Sequence, residues 1–202
     1  MSLQALEMGI AGHASPQETL SGDRHVLCEF PGGVLVGLLD GLGHGPGAEE
    51  AARLASETLV EHAQESLVSL ISRCHERLRP ERGVVMSLAS FLYGQGMMSW
   101  AGVGNVEGIL VRGNGTPRVE DETLLVRPGV VGIRVRYLEA EVLAIHPGDT
   151  LVLATDGIRT GFAARVARAL PAQKVAEQIL LHHSKGTDDA LVLVARYRGE
   201  EP

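Results

Sequence analysis

The chain has 202 residues, 45% hydrophobic but only 3% aromatic, and its 25 Asp and Glu against 18 Lys and Arg give a formal charge of −7. Lys and Arg are scattered singly, which excludes the basic stripe of a nucleic-acid binder and leaves a protein partner as the expectation. No apolar stretch nears the ~20 residues that cross a bilayer, and no basic segment precedes a long apolar one near the start, so the expectation is a cytoplasmic chain with neither membrane span nor signal peptide.

No Pro/Ser-rich linker or charge run divides the sequence, so residues 1–202 are expected to form one domain with a core of Val, Leu, Ile and Ala. Strand patterns at 3–13 and 25–30 surround a polar loop at 14–24. Pro31-Gly32-Gly33 reads as a hairpin turn into a buried strand at 34–39, and three strands in a row predict an antiparallel arrangement. After Gly45-Pro46-Gly47 the period changes: Ala51, Ala52, Leu54, Ala55, Leu59 and Ala63 fall at helical spacing over 48–64, with Pro46 near the start. A second helix over 67–78 stops before Pro80.

Strand signals return at 84–93, 97–103 and 106–112. Gly94-Gln95-Gly96 and Gly104-Asn105 separate them, which predicts a meander of hairpins. Residues 141–145 and 150–154 flank the turn His146-Pro147-Gly148-Asp149. Helical periodicity reappears over 162–169 and 172–183, with Pro171 as a start signal, and the last strand spans 190–197. This order predicts a layered α/β sandwich: two mainly antiparallel β-sheets face to face, flanked by α-helices. Cys28 and Cys74 are expected as buried reduced thiols, and His13, His25, His62, His75, His146, His182 and His183 at the surface.

Four acidic motifs punctuate this pattern: Ser21-Gly22-Asp23, Asp40-Gly41-Leu42-Gly43-His44-Gly45, Thr155-Asp156-Gly157 and Asp188-Asp189. Alone, each reads as a turn or a helix cap. Turn chemistry, however, does not require Gly-His-Gly after one Asp-Gly or Thr before another. The strands at 34–39 and 150–154 run into Asp40 and Asp156, and Asp188-Asp189 precede the strand at 190–197, so the carboxylates could converge at one sheet rim. Carboxylates gathered without basic partners repel, and a hard divalent cation relieves that repulsion.

The order Gly-Asp, Asp-Gly-x-Gly-His-Gly, Thr-Asp-Gly, Asp-Asp resembles the metal-dependent serine/threonine protein phosphatases of type 2C, in particular their SpoIIE-like branch. The resemblance runs from Gly12 to Arg198. Asp-Gly-Leu-Gly-His-Gly, Ala101-Gly102-Val103-Gly104-Asn105 and the lack of extra domains resemble the short stressosome phosphatases of that branch. The resemblance implies the same sandwich fold and two Mn²⁺ or Mg²⁺ ions. Asp40 would bridge them, the Gly41 carbonyl would add a ligand, Asp156 and Asp188 would complete the set, and Asp23 would bind directly or through water. Asp189 would be a further ligand or, since the second residue of the pair is often Asn, would orient the loop or a water.

His44 either caps the following helix, orients a water or protonates the leaving serine oxygen, for which an imidazole is suited. Gly104-Asn105 is by default a hairpin turn, while the resemblance makes Asn105 a substrate contact. Two departures stand out. No N-terminal arginine matches the family's phosphate grip, which leaves Arg24, beside Asp23, as the candidate. Ile158-Arg159-Thr160-Gly161 also follows Thr-Asp-Gly where many relatives have Glu.

The implied reaction is metal-dependent hydrolysis of phosphoserine or phosphothreonine by water, without a phosphoenzyme. The implied substrates are phosphorylated STAS-domain stressosome proteins. The alternatives are an anti-sigma-factor antagonist as substrate, or a noncatalytic phosphoprotein-binding module of the same fold. No Cys-x5-Arg loop points to a cysteine phosphatase, and no Gly-x4-Gly-Lys-Ser/Thr to an NTPase.

Overall fold

The computed structural model describes residues 5–16, 20–113, 121–167 and 169–199. In chain order they form β1 (Leu6–His13), β2 (Asp23–Phe30), β3 (Gly33–Gly41), α1 (Pro46–Glu61), α2 (Leu67–Arg77), β4 (Val84–Leu92), β5 (Met97–Val103) and β6 (Glu107–Val111). Three short strands follow, β7 (Glu122–Thr123), β8 (Gly129–Val130) and β9 (Arg134–Val135), then β10 (Glu141–Ala144), β11 (Thr150–Ala154), α3 (Ala172–His183) and β12 (Ala190–Tyr197). One sheet has the order β10-β5-β4-β3-β2 and the other β1-β12-β11-β6-β7, while β8 and β9 pair with each other.

Alternation within single strands explains the layers. In β3, Val34, Val36 and Leu38 face the other sheet, packing with Phe91 and Trp100 of their own sheet and Leu110, Leu151, Leu153 and Leu193 opposite. Leu35 and Leu39 point the other way, against Ala51, Ala55 and Leu59 of α1 and Leu70, Ile71 and Cys74 of α2. β12 repeats the scheme: Leu191, Leu193 and Ala195 face inward, while Val192 and Val194 meet Val175, Ala176 and Ile179 of α3. Strands covered on both faces show unbroken apolar runs, the pattern seen in these segments of the sequence. The result is a helix–sheet–sheet–helix sandwich, as the sequence predicts.

Local signals start the helices. Pro46 opens α1 behind Gly45 at φ 75, and the Ser66 side chain accepts the Ser69 amide at 3.2 Å to cap α2. Among the described residues no helix is long and apolar enough to cross a membrane.

Several expectations need correction. The first strand does not join the second: β1 pairs along its length with β12, Leu6 opposite Tyr197 and His13 opposite Ala190. Nine residues, 14–22, separate β1 from β2, so only the β2–β3 hairpin survives from the three-strand reading. The 84–112 meander also breaks, because β4 and β5 pair but β6 pairs β11 in the opposite sheet. Gly104-Asn105 is thus a crossing between sheets rather than a hairpin turn, and His146–Asp149 is another, since β10 pairs β5.

The helix expected over 162–169 reduces to the 3-10 turn Phe162–Arg165. Left-handed Gly161 and Pro171 bracket too short a segment for a stable α-helix. Positions 3, 4 and 168 of the expected elements lie outside the described residues. Cys28 is partly exposed, whereas Cys74 is buried as expected and its thiol is pushed up to about 12 by that burial. Two histidines expected at the surface are tied in. His13 Nε2 lies 2.8 Å from Ser184 Oγ, and His75 Nδ1 accepts the Gly132 amide at 2.9 Å.

Candidate metal centre

Strand register places the first two carboxylates. Asp40 shares the parity of Val34, Val36 and Leu38 and so faces the space between the sheets at the end of β3. Asp23 is its direct partner across β2–β3, on the same face. From the other sheet, Asp156 stands just past β11 and Asp188 just before β12, and these two strands are neighbours.

Asp23, Asp40, Asp156, Asp188 and Asp189 line one cavity of about 460 Å³ together with Leu42, Gly43, His44, Val85, Gly104, Asn105, Gly129 and Val130. No Lys or Arg is among the described lining residues. A wider groove of about 670 Å³ between α1 and α2 shares none of these residues and has no such convergence.

The cost of this arrangement shows in the acidities. Burial, then the charges of Asp23, Asp156, Asp188 and Asp189, push the Asp40 carboxyl up to about 8. Burial also pushes Asp23 up to about 7; the Thr155 hydroxyl opposes this, while Asp189, Asp156 and Asp188 add to it.

Three hydrogen-bonded ties hold the carboxylates. Thr155 Oγ1 donates to Asp23 Oδ2 at 2.7 Å and accepts the Leu191 amide at 2.9 Å, coupling the β2 carboxylate to the opposite sheet. Asp189 accepts the Ser15 amide on Oδ1 at 2.7 Å and the Gly22 amide on Oδ2 at 2.6 Å, clasping the loop that leads to Asp23. Asn105 Nδ2 donates to Asp156 Oδ2 at 2.9 Å. Thr155 was legible as the unexplained Thr of its motif, but its long-range partner was not.

The glycines after the aspartates serve close packing rather than left-handed turns. A Cβ on Gly41 would lie 2.1 Å from the Ala48 carbonyl oxygen, and one on Gly157 would lie 1.8 Å from that of Asp189. Helix α1 and the β12 approach therefore come within backbone contact of the aspartate-bearing segments.

The candidates part company in their placement. His44 is exposed at the cavity mouth, one residue before Gly45, which occupies the N-cap position of α1. Asn105 orients Asp156 from the sheet crossing. Arg24 is turned away from the cavity to Glu49 of α1 at 3.4 Å, because adjacent residues of β2 point to opposite faces. Gly41 is buried behind Asp40 and donates its amide to the Gly22 carbonyl at 3.0 Å.

The donor set fits a hard divalent cation. It is all carboxylate, Cys-free and short of neutralising charge. Among the described residues no three His, Cys, Asp or Glu side chains stand close enough together, as placed, to hold a metal ion. An open set of carboxylates with room for water is how Mg²⁺ is commonly held, through few protein ligands and several waters.

Comparison with known proteins agrees. The family model for Stage II sporulation protein E (SpoIIE) matches residues 31–198. Phosphoserine phosphatase RsbX of Bacillus subtilis (strain 168) is 19% identical over 180 residues, covering 89% of this chain and 88% of its own. The structure of RsbX in complex with magnesium aligns with a TM-score of 0.87 at 18% identity, over 98% of each chain.

A chain from the structural work on the bacterial stressosome as a modular system adapted to control secondary messenger signaling aligns with a TM-score of 0.86 at 30% identity, over 95% of this chain and 99% of that one. The catalytic domain of the serine threonine protein phosphatase PstP, in complex with 2 manganese ions, aligns at 0.73 and 15% identity, over 96% and 98%. The family match spans most of the chain, and with the fold and the order of aspartates it shows that the chain belongs to the Stage II sporulation protein E (SpoIIE) family, metal-dependent serine/threonine phosphatases of the type 2C fold.

Proposed function

We propose that this chain is a protein phosphatase that hydrolyses phosphoserine or phosphothreonine on STAS-domain stressosome proteins and so resets a bacterial stress-signalling pathway. The observation that carries the reading is the convergence of Asp23, Asp40, Asp156 and Asp188, from both sheets, on one cavity with no Lys or Arg among its described lining residues. RsbX, which bears the name of a phosphoserine phosphatase, and the stressosome chain at 30% identity support the substrate class.

Asp40, Asp156 and Asp188 would hold two Mn²⁺ or Mg²⁺ ions, with Asp23 and the Gly41 carbonyl completing the set. Such ions supply Lewis-acid polarisation of phosphoryl oxygens and a nucleophilic water at neutral pH. The chain supplies the preorganisation. Thr155 holds the rotamer of Asp23, Asn105 that of Asp156, and Asp189 the loop beneath, so the carboxylates need little rearrangement. His44, at the mouth, orients the attacking water. No Cys or Ser is among the described lining residues, which supports direct attack by water over a cysteinyl or seryl phosphoenzyme.

The test is phosphate release with Mn²⁺ titrated in, first from p-nitrophenyl phosphate, then from a panel of phosphorylated STAS-domain proteins and phosphopeptides cut from them. The expected result is Mn²⁺-dependent, chelator-sensitive turnover with intact STAS domains preferred. No release from any phosphoserine substrate at saturating Mn²⁺ and Mg²⁺ defeats the enzymatic reading. Peptides cleaved as fast as the folded domains defeat the partner.

A further inference from the structure

A phosphate monoester approaching this cavity meets five carboxylates and, among the described lining residues, no cation. Arg24 is engaged with Glu49 on the far face of β2. A guanidinium nevertheless stands at the mouth. Arg82, in the loop between α2 and β4, is exposed, and its Nη1 donates to the His44 carbonyl at 3.3 Å.

Two glycines make its bed. A Cβ on Gly43 would lie 3.2 Å from Arg82 Nη1, and one on Gly47 would lie 2.7 Å from Nε and 3.1 Å from Cζ. The spacing Gly43-His44-Gly45-Pro46-Gly47 thus leaves a shelf on which the side chain rests. The backbone beneath is anchored too: the Leu42 amide donates to the Gly83 carbonyl at 3.0 Å. Gly83, at φ +88, is closed in by Val130 and by the Val131 carbonyl next to the β8–β9 hairpin.

Most arginines of this chain with a defined ionic contact are matched to carboxylates: Arg53 to Glu50 and Glu57, Arg112 to Glu122 and Asp149, Arg196 to Glu7. Among the described residues Arg82 has no carboxylate partner. A guanidinium that touches one carbonyl keeps most of its five donors for an incoming anion, and its fork matches two phosphoryl oxygens.

We propose that Arg82 is the substrate phosphate contact, gripping the phosphoryl group as it passes Gly43 and His44 toward the aspartates. The assignment rests on the phosphatase reading above and adds to it the residue that offsets the acidity of the site. It moves the grip from the N-terminal strand, where Arg24 faces away, to the α2–β4 loop. It also explains why Gly47, the second residue of α1, is small.

The experiment is calorimetry with inorganic phosphate on the Mn²⁺-loaded protein, comparing wild type, Arg82→Ala, Arg82→Lys and Arg77→Ala, the last an exposed arginine that controls for net charge. Mn²⁺ binding is measured on the same proteins, and KM and kcat on a phosphorylated STAS domain. Arg82→Ala should weaken phosphate by roughly 10-fold or more, as loss of a charged hydrogen-bonding pair does, and raise KM more than it lowers kcat. Mn²⁺ affinity should hold, and Arg82→Lys should recover part of the loss.

Phosphate affinity in Arg82→Ala equal to that in Arg77→Ala overturns the proposal. The outcomes separate the two readings. A wild type without Mn²⁺-dependent turnover defeats the phosphatase assignment, even where Arg82→Ala still loses phosphate. An active wild type whose KM and phosphate affinity ignore Arg82 defeats only the grip.

Discussion

The two sheets supply their carboxylates by different means. Asp23 and Asp40 belong to adjacent strands and face each other in register, so the sheet that forms the core also forces them together. Both are pushed well above the usual carboxylate range by burial and by their neighbours. Asp156 and Asp188 stand on the connections outside β11 and β12, the first partly buried and the second exposed, and Asn105 steers the first. One half of the site is built by β register and carries repulsion in the metal-free state. The other half is set by loop geometry and is more open to solvent. Ion binding should therefore relieve the first pair most.

Asp40→Asn and Asp188→Asn break the comparison most sharply. Both should lower Mn²⁺-dependent turnover by roughly 10³-fold, which is several kcal/mol of charge stabilisation at ~1.4 kcal/mol per decade. Their metal-free stabilities should differ. Asp40→Asn should melt a few degrees (~2–5 °C) above wild type because a buried carboxyl that must take up a proton on folding is gone, while Asp188→Asn stays within about 1 °C. Melting curves in chelator check this, and equal shifts in the two variants would erase the distinction between strand-built and loop-built halves.

Asp189→Ala probes the clasp that joins the halves. It leaves the Ser15 and Gly22 amides without their carboxylate acceptor at a buried site, costing about 2–4 kcal/mol. Asp189→Asn, which can still accept, should lose less. Denaturant titration gives the difference, and a null effect for Asp189→Ala would show that the β1–β2 loop is held by other means.

A last expected effect is in pH. The Asp40 carboxyl holds its proton up to about 8 in the folded chain, against ~3.9 for an ordinary aspartate in the unfolded one. The folded state therefore binds more protons between these values. Metal-free stability is full below about pH 4 and declines as pH rises toward 8, after which this contribution levels off. The decline should be reduced in Asp40→Asn and reduced again when Mn²⁺ is added to wild type. A Tm difference between pH 5 and pH 8.5 that is the same in wild type and Asp40→Asn would contradict the origin of the shift.

Much of the candidate site was legible because its motifs are local. An apolar strand running into Asp40, a second into Asp156 and a third out of Asp188 can be read one segment at a time, and so can the helices that Pro46 and Ser66 start. The two-sheet sandwich followed from runs of Val and Leu long enough to be covered on both faces. What could not be read was which strand neighbours which. Period-two alternation says that a strand has a buried face and leaves its partner unspecified, so β1 was assigned to β2 when it pairs β12, and Gly104-Asn105 was read as a hairpin when it crosses between sheets.

The same limit explains the individual residues. Sequence by itself determined which side chains are the candidates: four aspartates at or beside strand ends, with glycines next to them. Only the tertiary structure decided what surrounds each one. Arg24, adjacent to Asp23 in sequence, is turned to the helix face by strand alternation, while Arg82, 42 positions from Asp40, is brought to the motif's His44. Thr155, Asp189 and Asn105 find partners 132, 167 and 51 residues away. Propensity and periodicity act over a few residues, whereas these ties depend on how two sheets and a helix pack once their apolar faces are buried.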